Sequence, residues 1–244
     1  MHFRGFLTRE RRICIIERRN KMFVVLKKIY LVLMVATCVV GVVLPIVTAL
    51  ALDDMKKEVI AIDPGHGGYD GGVKGVVSGV EEATVNLAVA KLLKAYFESD
   101  GYKVVMTRSE DVLSSVSRKQ EDMRARVKLI NGSKSKLLVS LHVNYYSSSS
   151  RRGIQVFYNK EKDVPLAECL QTALNRMNAS ETGRNFSALA GDYYILANSD
   201  CPAALVECGF FSNPQDEELL LDENYRMRLA YEMFSAIKTS YLCK

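Results

Sequence analysis

Residues 53–244 predict a single α/β domain, a twisted and largely parallel sheet flanked by helices. Two observations carry this. Short apolar runs alternate with amphipathic stretches of helical period along nearly the whole segment, the signature of a sheet whose strands are joined by crossover helices. The chain has 244 residues, 48% hydrophobic and 25% charged, and no internal repeat is visible. That suits one globular domain of about 180–200 residues with a further segment at the N-terminus.

The elements come in order. Residues 58–63 form the first strand. Residues 81–100 form a helix closed by Gly101, with Val85, Ala88, Val89, Leu92, Leu93 and Tyr96 on one face. A strand at 102–107 precedes a charged amphipathic helix at 117–131, which ends at Gly132. Strands come next at 137–143 and 153–158, then a helix at 164–177. Residues 193–196 and 203–208 read as strands, and 214–221 and 225–241 as helices. The serine patches at 114–115 and 147–150 read as loops.

The N-terminal segment accounts for the charge. Residues 29–52 carry no charged side chain and are long enough to cross a bilayer. Residues 1–28 carry nine Lys or Arg against Glu10 and Glu17, a surplus of seven. With the chain at +5, residues 29–244 therefore total −2. The basic balance belongs to a cytoplasmic flank obeying the positive-inside rule, not to a nucleic-acid surface. The body shows no obvious patch for an anionic polymer. Ala49-Leu50-Ala51 reads as a cleavage site, and Met22 ahead of Lys27-Lys28 would start a signal peptide of ordinary length. The length of the apolar run favours a retained anchor instead. On either reading the domain from about Asp53 is exported.

Of six cysteines, Cys169, Cys201, Cys208 and Cys243 lie in the exported part, without a CxxC pair. A Cys201–Cys208 disulfide is open in an oxidising compartment. Small buried apolar residues are the reading a domain of this size favours.

In parallel sheets, sites form at the carboxyl ends of strands. The first strand runs into "AIDPGHGGYDGG", which places His66 among glycines. The strand at 137–143 delivers His142, and the one at 203–208 delivers Glu207. The helix at 81 opens with Glu81-Glu82. Strand parity puts Ser140 and His142 opposite Val139, Leu141 and Val143. A carboxylate inside "AALVECGFF" is costly to bury unless a cation or donor meets it, and Arg108 and Arg126 are candidate partners. His66 alone could be a turn residue, and His142 alone a satisfied core residue. A phosphate loop is disfavoured, since no GK[ST] comes after it. Two imidazoles and one or two carboxylates on one rim are the ligand set of a catalytic zinc site with an open position.

The motifs "IDPGHGGYDGG", "EEATVNLAVAKLL", "VVMTRSED", "SLHVN" and "ALVECGFFSNPQDEELL", in this order across residues 57–240, resemble the zinc-dependent N-acetylmuramoyl-L-alanine amidases that trim peptidoglycan. Within that family the chain is most similar to the amidases that prepare spore-cortex peptidoglycan, bare catalytic domains without wall-binding repeats. The resemblance implies a hydrolase-type α/β fold with a six-stranded sheet. It implies zinc ligands at His66, Glu82 and His142, and a catalytic base at Glu207. The family pattern Glu-Lys-x-x-Asn-Leu reads here Glu82-Ala83-Thr84-Val85-Asn86-Leu87. The Asn-Leu register selects Glu82 over Glu81, a choice helical periodicity does not make. The glycines are expected to let metal and polymeric substrate approach the backbone.

The expected reaction is hydrolysis of the amide between N-acetylmuramic acid and L-alanine, serving muramic-δ-lactam formation in the cortex. Expected partners are peptidoglycan, through stem peptide and glycan, the membrane through the N-terminal segment, and an activating protein, with no nucleic acid. Residues 144–203 hold only a strand, a helix and a strand, which leaves little room for an inhibitory insert. No catalytic role is assigned to Arg108, Asn144 or Arg126. The competing readings are an inactive wall-binding relative and a zinc carboxypeptidase; the latter's HxxE motif is absent.

Overall fold

The computed structural model describes residues 21–44, 58–111 and 119–242. It divides into two units, Met1–Met55 and Lys56–Lys244. In the first, helix α1 (Lys21–Leu44) is 24 residues long and exposed along its length. At 1.5 Å per residue it measures ~36 Å, enough to cross the hydrocarbon core of a bilayer. It begins eight residues before the apolar stretch expected at 29–52. The expected cleavage site lies outside the described residues.

The second unit contains β1 (Val59–Pro64), α2 (Glu82–Ser99), β2 (Lys103–Met106), α3 (Lys119–Gly132), β3 (Leu137–Asn144) and β4 (Gln155–Tyr158). It continues with α4 (Val164–Thr182), β5 (Leu189–Ala190), α5 (Tyr194–Ala197), β6 (Ala203–Phe210), α6 (Pro214–Leu221) and α7 (Glu223–Ala236). The strands form one six-stranded sheet in the order β2-β1-β3-β6-β4-β5. The four strands from β2 to β6 are mutually parallel, β4 runs antiparallel to β6, and β5 is parallel to β4. The fold class is as expected.

Both faces of the sheet are covered, so its central strands are apolar on both sides. Ile60, Ile62, Leu137, Val139, Leu141 and Val143 belong to the larger core, with Val89 and Leu93 of α2, Leu170 and Leu174 of α4 and Leu229 and Met233 of α7. On the other face Ala61, Leu138, Ala203 and Leu205 meet Ile130 of α3 and Ile195 and Leu196 of α5. Period-two alternation assigns each strand residue to one face, and it puts Asp63, Ser140, His142 and Glu207 on the α3/α5 side. Helix ends obey local chemistry. Asn213 caps α6 by accepting from the Gln215 and Asp216 amides, with Pro214 at the first helical position.

One element differs from expectation. Residues 193–196 form no strand. Tyr194–Ala197 is a single helical turn, and the sixth strand is the two-residue β5. Four alternating residues fit one helical turn as well as a strand. Here the next two side chains select the turn. Asn198 Nδ2 donates to the Tyr194 carbonyl at 2.8 Å and Ser199 Oγ to the Ile195 carbonyl at 2.6 Å. The interval between Asn144 and Ala203 therefore holds β4, a 3-10 turn at Glu161–Asp163, α4, β5 and α5, two short helical turns more than expected.

Candidate active site

Four side chains converge at the carboxyl rim of the sheet. β3 and β6 lie side by side in a register that pairs His142 with Glu207. The loop after β1 brings His66 over the same rim. Glu82, the first residue of α2, reaches in above the strand ends. His66 Nε2 lies 3.3 Å from Glu82 Oε1 and His142 Nδ1 lies 2.9 Å from the same oxygen. The two imidazoles meet edge to face, with centroids 5.1 Å apart. One ligand atom from each of the three residues falls within 4.8 Å of the others. Tetrahedral ligands at the usual zinc bond lengths of ~2.0–2.1 Å stand about 3.3 Å apart, so the chemistry and spacing of this donor set fit such an ion.

Glu82 is buried and fully engaged. Its Oε1 accepts from the Val143 amide at 3.0 Å and from Asn86 Nδ2 at 3.2 Å, and its Oε2 from the Val73 amide at 3.1 Å. Burial alone would raise its pKa. Hydrogen bonds from His142 and His66, and their charges, override burial and hold it far below the carboxylate range. Glu81 points elsewhere, half-buried and 3.2 Å from Lys74 Nζ. Tertiary packing thus makes the choice that periodicity leaves open.

Glu207 is in the opposite condition. It is 8% exposed, and its Oε2 is buried without a hydrogen-bond partner. Neither arginine considered as its partner reaches it. Burial pushes its pKa up to about 7; the Glu82 charge adds to this and the two histidines oppose it. A carboxylate left unpaired at that value beside the His66, Glu82 and His142 cluster is suited to proton transfer near neutrality.

The glycines have a more specific use than leaving the backbone open. A Cβ on Gly65 would lie 2.2 Å from His142 Cε1, and one on Gly72 would lie 2.5 Å from Glu82 Oε2. Their missing side chains make room for the His142 and Glu82 side chains themselves. His66 sits in the left-handed region, at φ 60°, a conformation that costs a residue with a Cβ.

Buried arginines hold that loop. Arg126 of α3 donates to the Pro64 carbonyl at 2.8 Å and the His66 carbonyl at 2.6 Å. Its charge is met by Asp63 at 2.9 Å and Asp122 at 2.7 Å. Arg108 donates to the carbonyls of Pro64 at 3.0 Å, Gly65 at 2.9 Å and Ala83 at 2.8 Å. Asp63 in turn accepts from Thr107 Oγ1 at 2.6 Å and Ser140 Oγ at 2.7 Å. Asp70 stands 3.0 Å from His66 Nδ1. Sequence reasoning considered Arg108 and Arg126 only as partners of Glu207, not as supports of this loop, and overlooked Asp63 and Asp70. Asp63 carried one usable signal: it ends a buried strand on the same face as Ser140 and His142.

A cavity of about 180 Å³ opens beside the cluster, bounded by Tyr69, Lys119, Met123, Tyr193 and Tyr194 as well as His66 and His142. Cys201 and Cys208 are both free thiols, and Cys208 is buried. The disulfide considered from the sequence is not formed.

A mostly parallel sheet with two histidines and two buried carboxylates on its carboxyl rim defines a hydrolase-type α/β enzyme. The chain belongs to the N-acetylmuramoyl-L-alanine amidase family, whose model matches residues 60–239. It is 36% identical over 192 residues to the germination-specific N-acetylmuramoyl-L-alanine amidase of Bacillus subtilis, a match covering 75% of this chain and 79% of that one. It is 30% identical over 196 residues to a probable cell wall amidase, LytH, of Staphylococcus epidermidis, covering 80% of this chain and 62% of the relative. Among solved structures it is similar to the CwlD amidase from Clostridioides difficile in complex with the GerS lipoprotein, with a TM-score of 0.69 and 31% identity over 77% of this chain and 99% of that one. The catalytic domain of CwlV from Bacillus (Paenibacillus) polymyxa gives a TM-score of 0.67 and 29% identity, covering 76% and 98%.

Proposed function

We propose that this peptidoglycan amidase is zinc-dependent, with His66, Glu82 and His142 as metal ligands and Glu207 as catalytic base. It hydrolyses the amide joining the lactyl group of N-acetylmuramic acid to L-alanine. The observation that carries this reading is the convergence of both imidazoles on one Glu82 oxygen, beside a buried and unpaired Glu207 oxygen. A zinc ion at this cluster supplies a Lewis acid that lowers the pKa of water toward ~7 and neutralises developing negative charge. Glu207 takes the proton of the attacking water at its carboxylate and delivers it to the departing alanine nitrogen. Burial makes Glu207 more basic than an ordinary carboxylate. Asp63, Arg108 and Arg126 keep the His66 loop in its left-handed turn.

The likeness to a germination-specific amidase supports a role in spore-cortex maturation and muramic-δ-lactam formation. Helix α1 supports export with retention at the membrane or cleavage there. A relative was solved with a lipoprotein partner, which supports an activating partner here as well. The deciding measurement is zinc content together with mass spectrometry of muropeptides released by the full chain. Intact stem peptides released by a protein with zinc near one per chain support the reading. A shortened stem would mark a carboxypeptidase, and binding without release an inactive wall-binding protein.

A further inference from the structure

We infer that a second cleft, built from Arg151, Arg152 and Arg184, is the subsite for the anionic stem peptide, so that the glycan lies across the catalytic rim on the tyrosine side. This assignment rests on the amidase reading and gives the substrate a direction. The cleft has a volume of about 490 Å³. It starts where the catalytic centre ends. Asn144, two residues past His142, pairs with Phe210, three past Glu207, and both line the cleft. Gln155, which also lines it, is the β4 neighbour of Glu207. Phe157 closes the gap to the first cavity by packing edge-on against Tyr193, with centroids 5.3 Å apart.

The charge of the cleft is one-sided. No Asp or Glu is among the described residues lining it. Arg152 is neutralised by Asp216 at 3.1 Å and held by Gln215, so it is part of the wall. Arg151 is exposed, its guanidinium 4.0 Å over the Tyr146 ring. Arg184 is exposed on the loop after α4. Among the described residues neither meets a carboxylate, and both remain free to pair with one on a ligand. Gly153 gives the cleft its depth: a Cβ there would lie 3.0 Å from Phe186, so the ring packs down onto bare backbone.

The two arms of the substrate differ in charge. Amidated muramic acid and its neighbouring hexosamine are neutral sugars. The stem peptide carries free carboxylates along its length. Two unpaired arginines recognise the second arm. Tyr69, Tyr193 and Tyr194 line the cavity on the other side, where Lys119 is already paired with Asp70 at 3.3 Å, and offer aromatic surface to sugar rings. The net charge of −2 outside the N-terminal flank hid this patch, because Arg151 and Arg184 lie 33 positions apart in the chain.

The test compares binding of two synthetic stem peptides, one with free carboxylates and one fully amidated, to the full chain in detergent. Wild type should bind the free-carboxylate peptide at least tenfold more tightly. The double variant Arg151→Glu/Arg184→Glu should lose that preference while keeping its thermal stability, since both residues are exposed. Equal affinity of wild type for the two peptides, a preference that survives the double variant, or no saturable binding overturns the assignment. Muropeptide release by wild type is scored separately. Arginine-dependent peptide binding without release would refute the amidase reading and leave the cleft assignment standing.

Discussion

The imidazole of His142 lies against the bare backbone of Gly65, so closely that a Cβ there would come within 2.2 Å of Cε1. A glycine in the "PGHGG" loop is thus a packing partner of a side chain 77 positions away. Gly65→Ala should therefore push the ring off its position while leaving the core intact. We predict zinc affinity weakened at least tenfold, with the unfolding temperature lowered by no more than a few degrees. Equilibrium dialysis against a zinc indicator reads the first and thermal unfolding the second. Unchanged affinity would show that the ring position is not set by this contact.

Glu82 and Glu81 separate cleanly. Glu82→Ala should lose stoichiometric zinc, as should His66→Ala and His142→Ala. Glu81→Ala removes only a solvated pair with Lys74 and should keep both zinc and activity. Zinc near one per chain in Glu82→Ala would transfer the ligand role elsewhere.

Glu207→Gln should retain zinc and lose turnover by roughly 10²-fold or more, the usual worth of general acid–base catalysis. Its stability should change in the other direction. The unfolded carboxyl ionises near its ordinary value of 4.5 and the folded one near 7. Stability of the metal-free protein therefore falls as pH rises between these values and is level above them. Glutamine removes that loss, so the variant should gain on the order of 2 kcal/mol over wild type at pH 8 and little at pH 5. Denaturant titrations of chelator-treated protein at the two pH values measure the difference.

Asp63 and Arg126 form a buried pair that also positions the His66 loop. Arg126→Met should cost about 3–5 kcal/mol, because it strands Asp63 in the interior. Burial raises the Asp63 pKa, but Arg126, Thr107 and Ser140, with the charge of His142, hold it below its unfolded value of 3.8. Its contribution is present above pH 3.8 and disappears as pH falls through the folded value. Asp63→Asn should lower stability at pH 7 and flatten the acid limb of the unfolding curve. An acid limb identical to wild type would remove Asp63 from the linkage.

The sheet was legible because its signals are local and strong. Strand parity correctly placed Val139 and Leu141 in one core and Ser140 and His142 on the other face. The short elements were not. Residues 193–196 look like a strand in isolation and form a helical turn because the Asn198 and Ser199 side chains donate back to its carbonyls. Arg108 and Arg126 looked like possible partners for Glu207 and instead hold backbone carbonyls of the loop.

By itself the sequence determined the fold class, the family and the four residues on which the chemistry is proposed to rest. These come from periodicity and from motifs whose members are close in the chain. Tertiary structure alone decided that the glycines yield their space to His142 and Glu82, and that Arg151 and Arg184 share one cleft. Each of these depends on distances between residues far apart in sequence, which packing creates and no local pattern encodes.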